Sequence, residues 1–194
     1  TIGREYCAGG TSVAERLSKK LGIPWYDRDF VKFTSKISGY SEEEIDEEGE
    51  ELSGSQRLLD VILNNMAAYN SSHDEIFKAQ KSSMLELAES PCILVGRCGN
   101  IILREAGIES FDIFLYADFD VRLERARQLV DDPKVDLKKY VEKRDALREN
   151  YYKAYTKHPI TRAQDYNICL DTGAFGYQKC ISLLADLIKD KYLK

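Results

Sequence analysis

The chain has 194 residues, of which 43% are hydrophobic and 31% are charged, so it can bury the core of one domain. It carries 28 lysines and arginines against 33 acidic residues, a formal net charge of −5. This balance argues against general nucleic-acid binding, which needs a basic surface that neutralises phosphates. The apolar runs are too short to cross a bilayer and no signal-peptide pattern opens the sequence, so we expect a cytoplasmic protein without a membrane partner.

The five cysteines, Cys7, Cys92, Cys98, Cys169 and Cys180, are an odd number and show no C-x-x-C spacing. This pattern predicts free thiols, not a disulfide framework or a zinc site. Cys7 and Cys98 fall in predicted loops that face a ligand. A redox role is open for both, and the alternative is a small residue that fills a tight turn.

The first predicted element is a loop that leads into a helix over residues 13–21, where apolar residues recur at helical spacing. Gly9 and Gly10 precede this helix, followed by the hydroxyl residues Thr11 and Ser12. Such a glycine turn presents backbone N–H groups to an anion, and the helix adds the positive end of its dipole. We therefore predict a phosphate site, with a plain helix N-cap as the alternative. A strand should precede such a loop, and because the sequence begins directly at the loop, we expect that strand to be truncated or absent.

The loop departs from the standard phosphate-binding pattern, Gly-x-x-x-x-Gly-Lys-[Ser/Thr]. With Gly9 as the last glycine, Arg4 stands at the first glycine position and Gly10 at the lysine position, while Thr11 keeps the magnesium-binding hydroxyl. The lysine normally supplies a positive charge at the donor phosphates, and losing such a preorganised charge weakens transition-state stabilisation considerably. We expect Arg4, or an arginine of the lid that the long helix predicted at residues 137–155 would form, to replace it, since phosphoryl transfer depends on positioning and charge.

Short apolar segments that read as buried parallel strands alternate with helical patterns along the rest of the chain. This order predicts an α/β fold, a three-layer doubly wound parallel sheet, in which ligands bind beyond the carboxyl ends of the strands. The predicted strands are residues 23–26, 92–95, 113–116 and 166–170, and the further predicted helices are residues 58–69, 76–87, 121–129, 137–155 and 177–192.

Two polar segments interrupt this alternation. Residues 41–51 hold eight acids in eleven positions, which predicts a solvated helix or a mobile flap because like charges repel and resist burial. Residues 130–139 predict a turn that feeds the long helix after it. Since there is no internal repeat or low-complexity linker, we expect one domain with inserts.

Polar side chains follow two of the predicted strands at the point where each strand ends. Asp27 follows the first strand, where a carboxylate opposite a phosphate loop can hold hydrated magnesium or accept a proton from an attacking hydroxyl. Arg97 follows the next strand, between Gly96 and Gly99. Its fork of donors suits a phosphate or a planar base edge, and a surface ion pair is the alternative.

The long predicted helix carries Arg144 and Arg148 one turn apart, with Lys143 beside them. A helix that closes over a nucleotide with such cations neutralises charge on a transferring phosphoryl group. Ordinary surface charge is the alternative, because Glu142 and Asp145 offer partners nearby.

Arg122 and Arg125 follow the third predicted strand, one turn apart, and either could stack on an adenine. Solvated helix charge explains them equally well. His73 and His158 have no neighbours at the spacing of a catalytic triad or a metal site, so we assign them no role.

Together these motifs resemble the cytidylate kinase-like family, a branch of the P-loop nucleoside monophosphate kinases. Members of that branch often carry Gly-Arg-Glu-Tyr-Gly-Ser-Gly-Gly in place of the usual loop. The resemblance covers nearly the whole chain and is poor between residues 40 and 77, where acceptor specificity would reside. The motifs that carry it are, in chain order, Gly3-Arg-Glu-Tyr-Cys-Ala-Gly-Gly, Leu21-Gly-Ile-Pro-Trp-Tyr-Asp-Arg, Ile93-Leu-Val-Gly-Arg-Cys and Lys143-Arg144 with Arg148.

The resemblance implies a P-loop kinase-like core, an acceptor-binding insert near residues 30–75 and an arginine-rich lid near residues 128–160. It implies ATP and Mg²⁺ as cofactors and a small-molecule nucleotide as substrate. Residues carried over by position are Cys7, Ala8, Gly9, Gly10, Thr11 and Ser12 around the donor phosphates, Thr11 on magnesium, Asp27 and Arg97 toward the acceptor, and Lys143, Arg144 and Arg148 from the lid.

We therefore expect ATP-dependent, in-line phosphoryl transfer to a nucleoside monophosphate such as CMP, with Asp27 positioning the acceptor or the metal. A nucleotide-binding protein that lost transfer chemistry with its lysine is the first alternative. A kinase for a non-nucleotide acceptor, such as a small polyol or acid, is the second. The sequence leaves the oligomeric state open.

Overall fold

The structure is a computed structural model that describes residues 1–27, 35, 72–130 and 132–192. Strands and helices alternate through most of these residues, with two successive helices before the last strand. The elements are β1 (Ile2–Arg4), α1 (Gly10–Leu21), β2 (Trp25–Tyr26), α2 (Ser72–Leu87), β3 (Ile93–Leu94), α3 (Gly99–Glu105), β4 (Ile113–Tyr116), α4 (Phe119–Arg127), α5 (Leu137–Thr156), a 3₁₀ turn (Ala163–Asp165), β5 (Ile168–Asp171) and α6 (Gly176–Tyr192).

The strand pairs are all parallel: β1 with β4, β4 with β5, and β2 with β3. A parallel bridge between Ile2 and Val95 joins the two groups, and the N–H of Gly96 donates to the Ile2 carbonyl at 2.9 Å. The order across the sheet is therefore β2-β3-β1-β4-β5. Because the strands are parallel, the carboxyl ends of β1, β2 and β3 lie side by side at one edge of the sheet. An α/β fold binds its ligand beyond these carboxyl ends.

Apolar side chains cover both faces of the sheet. On one face, α1 and α6 contribute Leu17 and Leu184, which pack with Ile93 of β3. On the other face, Ile102 of α3 and Tyr151 of α5 pack with Leu94, the next residue of β3. Successive strand residues point to opposite faces, so a strand that is apolar throughout needs helices on both sides. The result is the predicted three-layer α/β arrangement.

Short-range signals set the ends of the helices. Gly22 has a left-handed φ of 71° and closes α1 by donating to the Ser18 carbonyl at 2.8 Å. Asp118 caps α4 by accepting from the N–H of Asp120, and Asp136 caps α5 by accepting from the N–H of Lys139. The predicted helices at 13–21, 76–87, 121–129, 137–155 and 177–192 all form, with ends within a few residues of those expected.

Two elements were missed. Ile2–Arg4 forms β1 immediately before the loop, so the strand is present, though only three residues long, and the expectation that it is absent was wrong. Its three residues carry little strand signal by themselves and are held by pairing with β4. The helix α3 was missed because left-handed residues precede it where a capping side chain is usual. The predicted helix at 58–69, the acidic segment 41–51 and most of the predicted insert at 30–75 lie outside the described residues.

None of the described helices combines the length and the apolar composition needed to cross a bilayer. All five cysteines lie in the described part of the chain and are free thiols, as predicted.

Candidate active site

Residues 5–9 form the β1–α1 loop, which turns the chain sharply from the sheet into α1. Cys7 and Gly9 both have left-handed backbones, with φ values of 59° and 92°. Gly9 is the N-cap of α1, and no side chain caps the first N–H groups of this helix. Because these groups have no acceptor within the helix, they can bind an anion.

Three carbonyl groups of the β1–α1 loop accept hydrogen bonds from side chains elsewhere in the chain. The Tyr6 and Cys7 carbonyls accept from Arg122 and Arg125, each at 3.2 Å, and the Ala8 carbonyl accepts from the Thr172 hydroxyl at 2.8 Å. In a trans peptide plane, C=O and the following N–H point in opposite directions. The N–H groups of Cys7 and Gly9 therefore point away from these supports, as an anion-binding loop requires.

Arg125 and Arg122 act differently from each other. Arg125 donates to the hydroxyl and the carbonyl of Thr172, both at 2.9 Å, and its guanidinium lies 4.5 Å from the ring centre of Tyr177. It therefore stacks on a ring of the protein beside the loop. Arg122 is buried and bound to the Ala117 carbonyl at 3.0 Å and to Glu5 at 3.1 Å, so it serves the structure of the loop.

Asp27 is the centre of a buried polar group at the ends of β1, β2 and β3. Its Oδ2 accepts a hydrogen bond of 2.7 Å from the Thr11 hydroxyl. Its Oδ1 lies 3.6 Å from Arg4 and 3.8 Å from Arg97. Arg148 reaches in from α5 and donates to the Arg4 carbonyl at 3.3 Å. We call these five residues, Arg4, Thr11, Asp27, Arg97 and Arg148, the Asp27 cluster.

The charged members of the Asp27 cluster are nearly inaccessible to solvent: Arg4, Asp27, Arg97 and Arg148 are between 5 and 9% exposed. Both ion pairs of Asp27 are longer than a charge-assisted hydrogen bond, which is about 2.7–2.9 Å. The guanidinium groups thus lie beside the carboxylate as ion pairs. Three guanidiniums gathered beside an uncapped helix N-terminus create a positive potential that suits a phosphate.

A left-handed turn at residues 96–98 places Arg97 in the Asp27 cluster. Gly96, Arg97 and Cys98 are all left-handed, with φ values of 77°, 52° and 58°. Each non-glycine residue in this region costs on the order of 1 kcal/mol, and such strain concentrates at functional sites. The N–H group of Gly96 bonds to β1, and the Arg97 guanidinium donates to the Asp27 carbonyl at 3.2 Å. The strained turn therefore fixes Arg97 against both neighbouring strands.

The helix α5 lies directly on the β1–α1 loop. The Arg144 guanidinium is 5.4 Å and that of Arg148 6.0 Å from the ring centre of Tyr6. Asp145, between them, accepts from the Tyr6 N–H at 2.7 Å. A cleft of about 290 Å³ opens between α5 and the end of β1, and its lining includes Arg4, Glu5 and Arg148 but neither Thr11 nor Asp27. Lys143 is exposed, and the contacts described for the loop and for Asp27 do not include it.

The site suits magnesium chemically. The Thr11 hydroxyl and the Asp27 carboxylate are hard oxygen donors in direct contact. Within the described residues no group of three or more His, Cys, Asp or Glu side chains could hold a metal alone. Magnesium in phosphate-transfer sites needs few protein ligands, because phosphate oxygens and water complete its shell. The residues present therefore fit a nucleotide-bound Mg²⁺ better than a metal held by protein alone.

Sequence reasoning missed three supports of the β1–α1 loop: Asp145, Thr172 and Tyr177. Thr172 directly follows β5, so the strand-end rule that singled out Asp27 and Arg97 could have found it. Tyr177 covers Gly9 so closely that a Cβ there would lie 2.2 Å from its ring. Asp145 was noted only as an ion-pair partner, because helical spacing does not reveal which loop a side chain meets.

Comparison with known proteins bears on the family and on the fold. The model of the cytidylate kinase-like family matches residues 1–174. A crystal structure of an uncharacterized protein from Eubacterium ventriosum is 22% identical, with a TM-score of 0.66 over 98% of this chain and 97% of that one. Shikimate kinase from Acinetobacter baumannii, solved with shikimate, is 15% identical, with a TM-score of 0.54 over 100% of this chain and 93% of that one. No curated protein matches the sequence.

At these identities the two structures indicate the fold, which is that of P-loop kinases. Fold and family model together support a small-molecule kinase that binds a nucleotide. Since the family model spans all but the last 20 residues, this chain belongs to the cytidylate kinase-like family.

Proposed function

We propose that the protein transfers the γ-phosphoryl group of ATP to a nucleoside monophosphate, with CMP as the first candidate and Mg²⁺ as cofactor. The observation that carries this proposal is the contact between the Thr11 hydroxyl and the Asp27 carboxylate, 2.7 Å long, beside the uncapped N-terminus of α1. A magnesium-binding hydroxyl, a carboxylate and an anion-binding helix end are the parts that phosphoryl transfer from a nucleotide needs.

The donor phosphates lie against the β1–α1 loop in this proposal. The N–H groups of Cys7 and of residues 9–12, together with the dipole of α1, bind the phosphate oxygens, while the Ala8 N–H donates to the Glu5 carbonyl within the loop. Thr11 and Asp27 hold Mg²⁺, which when bound neutralises charge on the phosphates. Arg125, which stacks on Tyr177 beside the loop, borders the adenine in this proposal.

The acceptor lies at the carboxyl ends of β2 and β3, beside the paired Asp27 and Arg97. An acceptor phosphate oxygen attacks the γ-phosphorus in line, a new P–O bond forms, and the bond to the departing ADP oxygen breaks. A monophosphate oxygen is already anionic, so this acceptor needs no base. Arg97 holds the acceptor, while Arg144 and Arg148 on α5 neutralise the charge that spreads over the transferred group. Lys143 joins them in this proposal if α5 shifts when ligands bind.

A hydroxyl-bearing small acid is the second candidate acceptor. The observation in its favour is the structural similarity to a kinase that was solved with shikimate, over the full length of this chain. With such an acceptor, Asp27 takes the hydroxyl proton and an arginine of the Asp27 cluster binds the acid group.

The test is turnover with ATP and Mg²⁺ across a panel of nucleoside monophosphates and small hydroxy acids that includes shikimate, with ADP formation as the readout. We expect turnover with one monophosphate and a loss of about a hundredfold in Thr11→Ala. Lys19→Ala is the matched control, because Lys19 is an exposed residue of the same helix that pairs with Glu15.

Turnover restricted to a hydroxy acid would replace the first candidate with the second. Measurable ATP binding without turnover on any acceptor would contradict both and leave a nucleotide-binding protein that has lost transfer chemistry.

A further inference from the structure

The residues at the two non-standard loop positions, Arg4 and Gly10, touch each other. A Cβ added at Gly10 would lie 2.9 Å from Cγ, 3.0 Å from Cδ and 3.3 Å from Nε of Arg4. Real Cβ atoms essentially never approach another heavy atom within 3.0 Å. The stem of Arg4 therefore occupies the space that the first atoms of a lysine at position 10 would need.

Arg4 is held in this place from several sides. Its backbone belongs to β1 and pairs with Leu115 of β4. Its carbonyl accepts from Arg148 at 3.3 Å, and its guanidinium lies 3.6 Å from the Asp27 carboxylate. With 8% of the residue exposed, the stem has little room to swing aside. A side chain at position 10 would have to displace a packed, charged neighbour.

The guanidinium of Arg4 lies at the same carboxylate that accepts from Thr11. Arg4 thus extends from the end of β1 to the N-terminus of α1. There it packs against Gly10, the residue before Thr11, whose hydroxyl is assigned to magnesium. A loop lysine would bring its charge to this region from the first turn of the helix. An arginine is charged at every accessible pH and offers several fixed donors, so it can serve the same phosphates.

We propose that Arg4 is the donor-phosphate cation of this protein and that Gly10 is required to leave room for it. The two residues depend on each other. Compared with the standard loop pattern, the positive charge lies at position 4 on the strand instead of position 10 on the helix, and the glycine lies at position 10 instead of position 4. This inference rests on the proposed function, because it presupposes that ATP binds at the β1–α1 loop.

The competing explanation is that Arg4 only neutralises the buried Asp27. In that case removing Arg4 would change stability, and a lysine at position 10 would not restore ATP binding. The discriminating variant is the double substitution Arg4→Ala with Gly10→Lys, which returns the charge to the helix and vacates the space it needs.

The experiment measures the ATP dissociation constant by calorimetry with Mg²⁺, and the melting temperature, for wild type, Arg4→Ala, Gly10→Lys and the double variant. Arg4→Ala is expected to bind ATP roughly ten to a hundred times more weakly, the effect of losing one charge-assisted contact. Gly10→Lys is expected to weaken binding to a similar extent, because the new side chain displaces the stem of Arg4. The double variant is expected to bind within about threefold of wild type, a strong non-additivity between residues in contact. Arg4→Lys, which keeps a charge without the fork, should fall between wild type and Arg4→Ala.

Two results would overturn the inference while leaving the proposed function intact. The first is an ATP affinity that is unchanged in Arg4→Ala. The second is a double variant whose ATP dissociation constant rises by the product of the factors measured for the two single variants. If the melting temperature shows that Arg4→Ala is unfolded, Arg4→Lys and the double variant decide between the explanations. A wild type that binds no ATP would overturn both this inference and the proposed function.

Discussion

The carboxylate of Asp145, near the middle of α5, accepts a hydrogen bond of 2.7 Å from the backbone N–H of Tyr6 in the β1–α1 loop. Its other oxygen accepts from Arg122, which also holds Glu5 and the Tyr6 carbonyl. One carboxylate thus joins the helix predicted as a lid to the loop predicted to bind phosphate. Any movement of α5 away from the loop must break this bond.

Replacing Asp145 tests that connection. Asp145→Ala leaves the Tyr6 N–H and the buried Arg122 without this acceptor, so we expect a loss of about 2 kcal/mol in the free energy of unfolding. Urea denaturation measures it. Glu142→Ala, at an exposed position one turn earlier on α5, should change stability by less than about 0.5 kcal/mol. Equal effects of the two substitutions would show that the Asp145 contact contributes nothing particular.

Thr11 tests the assignment of the magnesium ligands. We expect Mg²⁺ to strengthen ATP binding in wild type, and most of this gain to vanish in Thr11→Ala, because the hydroxyl is lost. Thr11→Ser keeps the hydroxyl and should keep the gain. Titrations of ATP with Mg²⁺ and with EDTA measure the difference. The same magnesium dependence in all three proteins would contradict the assignment.

The left-handed backbone of Cys7, with φ of 59°, predicts an order of stability among its variants. Glycine adopts this conformation without steric cost, whereas alanine does not, so Cys7→Gly should be more stable than Cys7→Ala by about 1 kcal/mol. Cys180 lies inside α6 and supplies the control, because a helix interior reverses the order by a similar amount. Thermal unfolding of the four variants checks both orders, and the same order at both sites would contradict the backbone explanation.

Cys7 also predicts a pH dependence. Burial raises the pKa of the Cys7 thiol above its ordinary value, so at a given pH less of it is the reactive thiolate than in a free cysteine. Alkylation by iodoacetamide at pH 7.5 should therefore be slower than that of glutathione and should accelerate up to and beyond pH 9. Peptide mapping by mass spectrometry follows this residue separately. Rapid alkylation near pH 7 would mean that the loop exposes the thiol.

The sequence was most informative where function follows from position in an α/β fold. Asp27 and Arg97 were singled out because polar residues at strand ends meet at one edge of a parallel sheet, and the structure brings them within 3.8 Å of each other. Their roles in the site stay a prediction. The role of Asp145 could not be found this way, because a helical pattern gives spacing along α5 but not its packing partner. The left-handed run at 96–98 was equally hidden, since Arg97 and Cys98 are residues that rarely adopt that backbone.

Sequence spacing also cannot show what replaces the missing loop lysine, because it does not give contacts in space. Aligning the loop with the standard pattern identifies Arg4 and Gly10 as the exceptions, yet it cannot tell whether they compensate for each other. Only their contact in space suggests that one substitution makes room for the other. Pairwise contacts of this kind depend on how β1 and α1 are juxtaposed, which the pattern does not contain.

The most direct test of the central claim is to follow the label from γ-³²P-ATP in the presence of CMP and Mg²⁺, with wild type and Asp27→Asn compared at matched folded fractions. The account predicts label in CDP for wild type and a rate lower by about a hundredfold for Asp27→Asn. Label released only as inorganic phosphate, or transfer to CMP that is unchanged in Asp27→Asn, would contradict it.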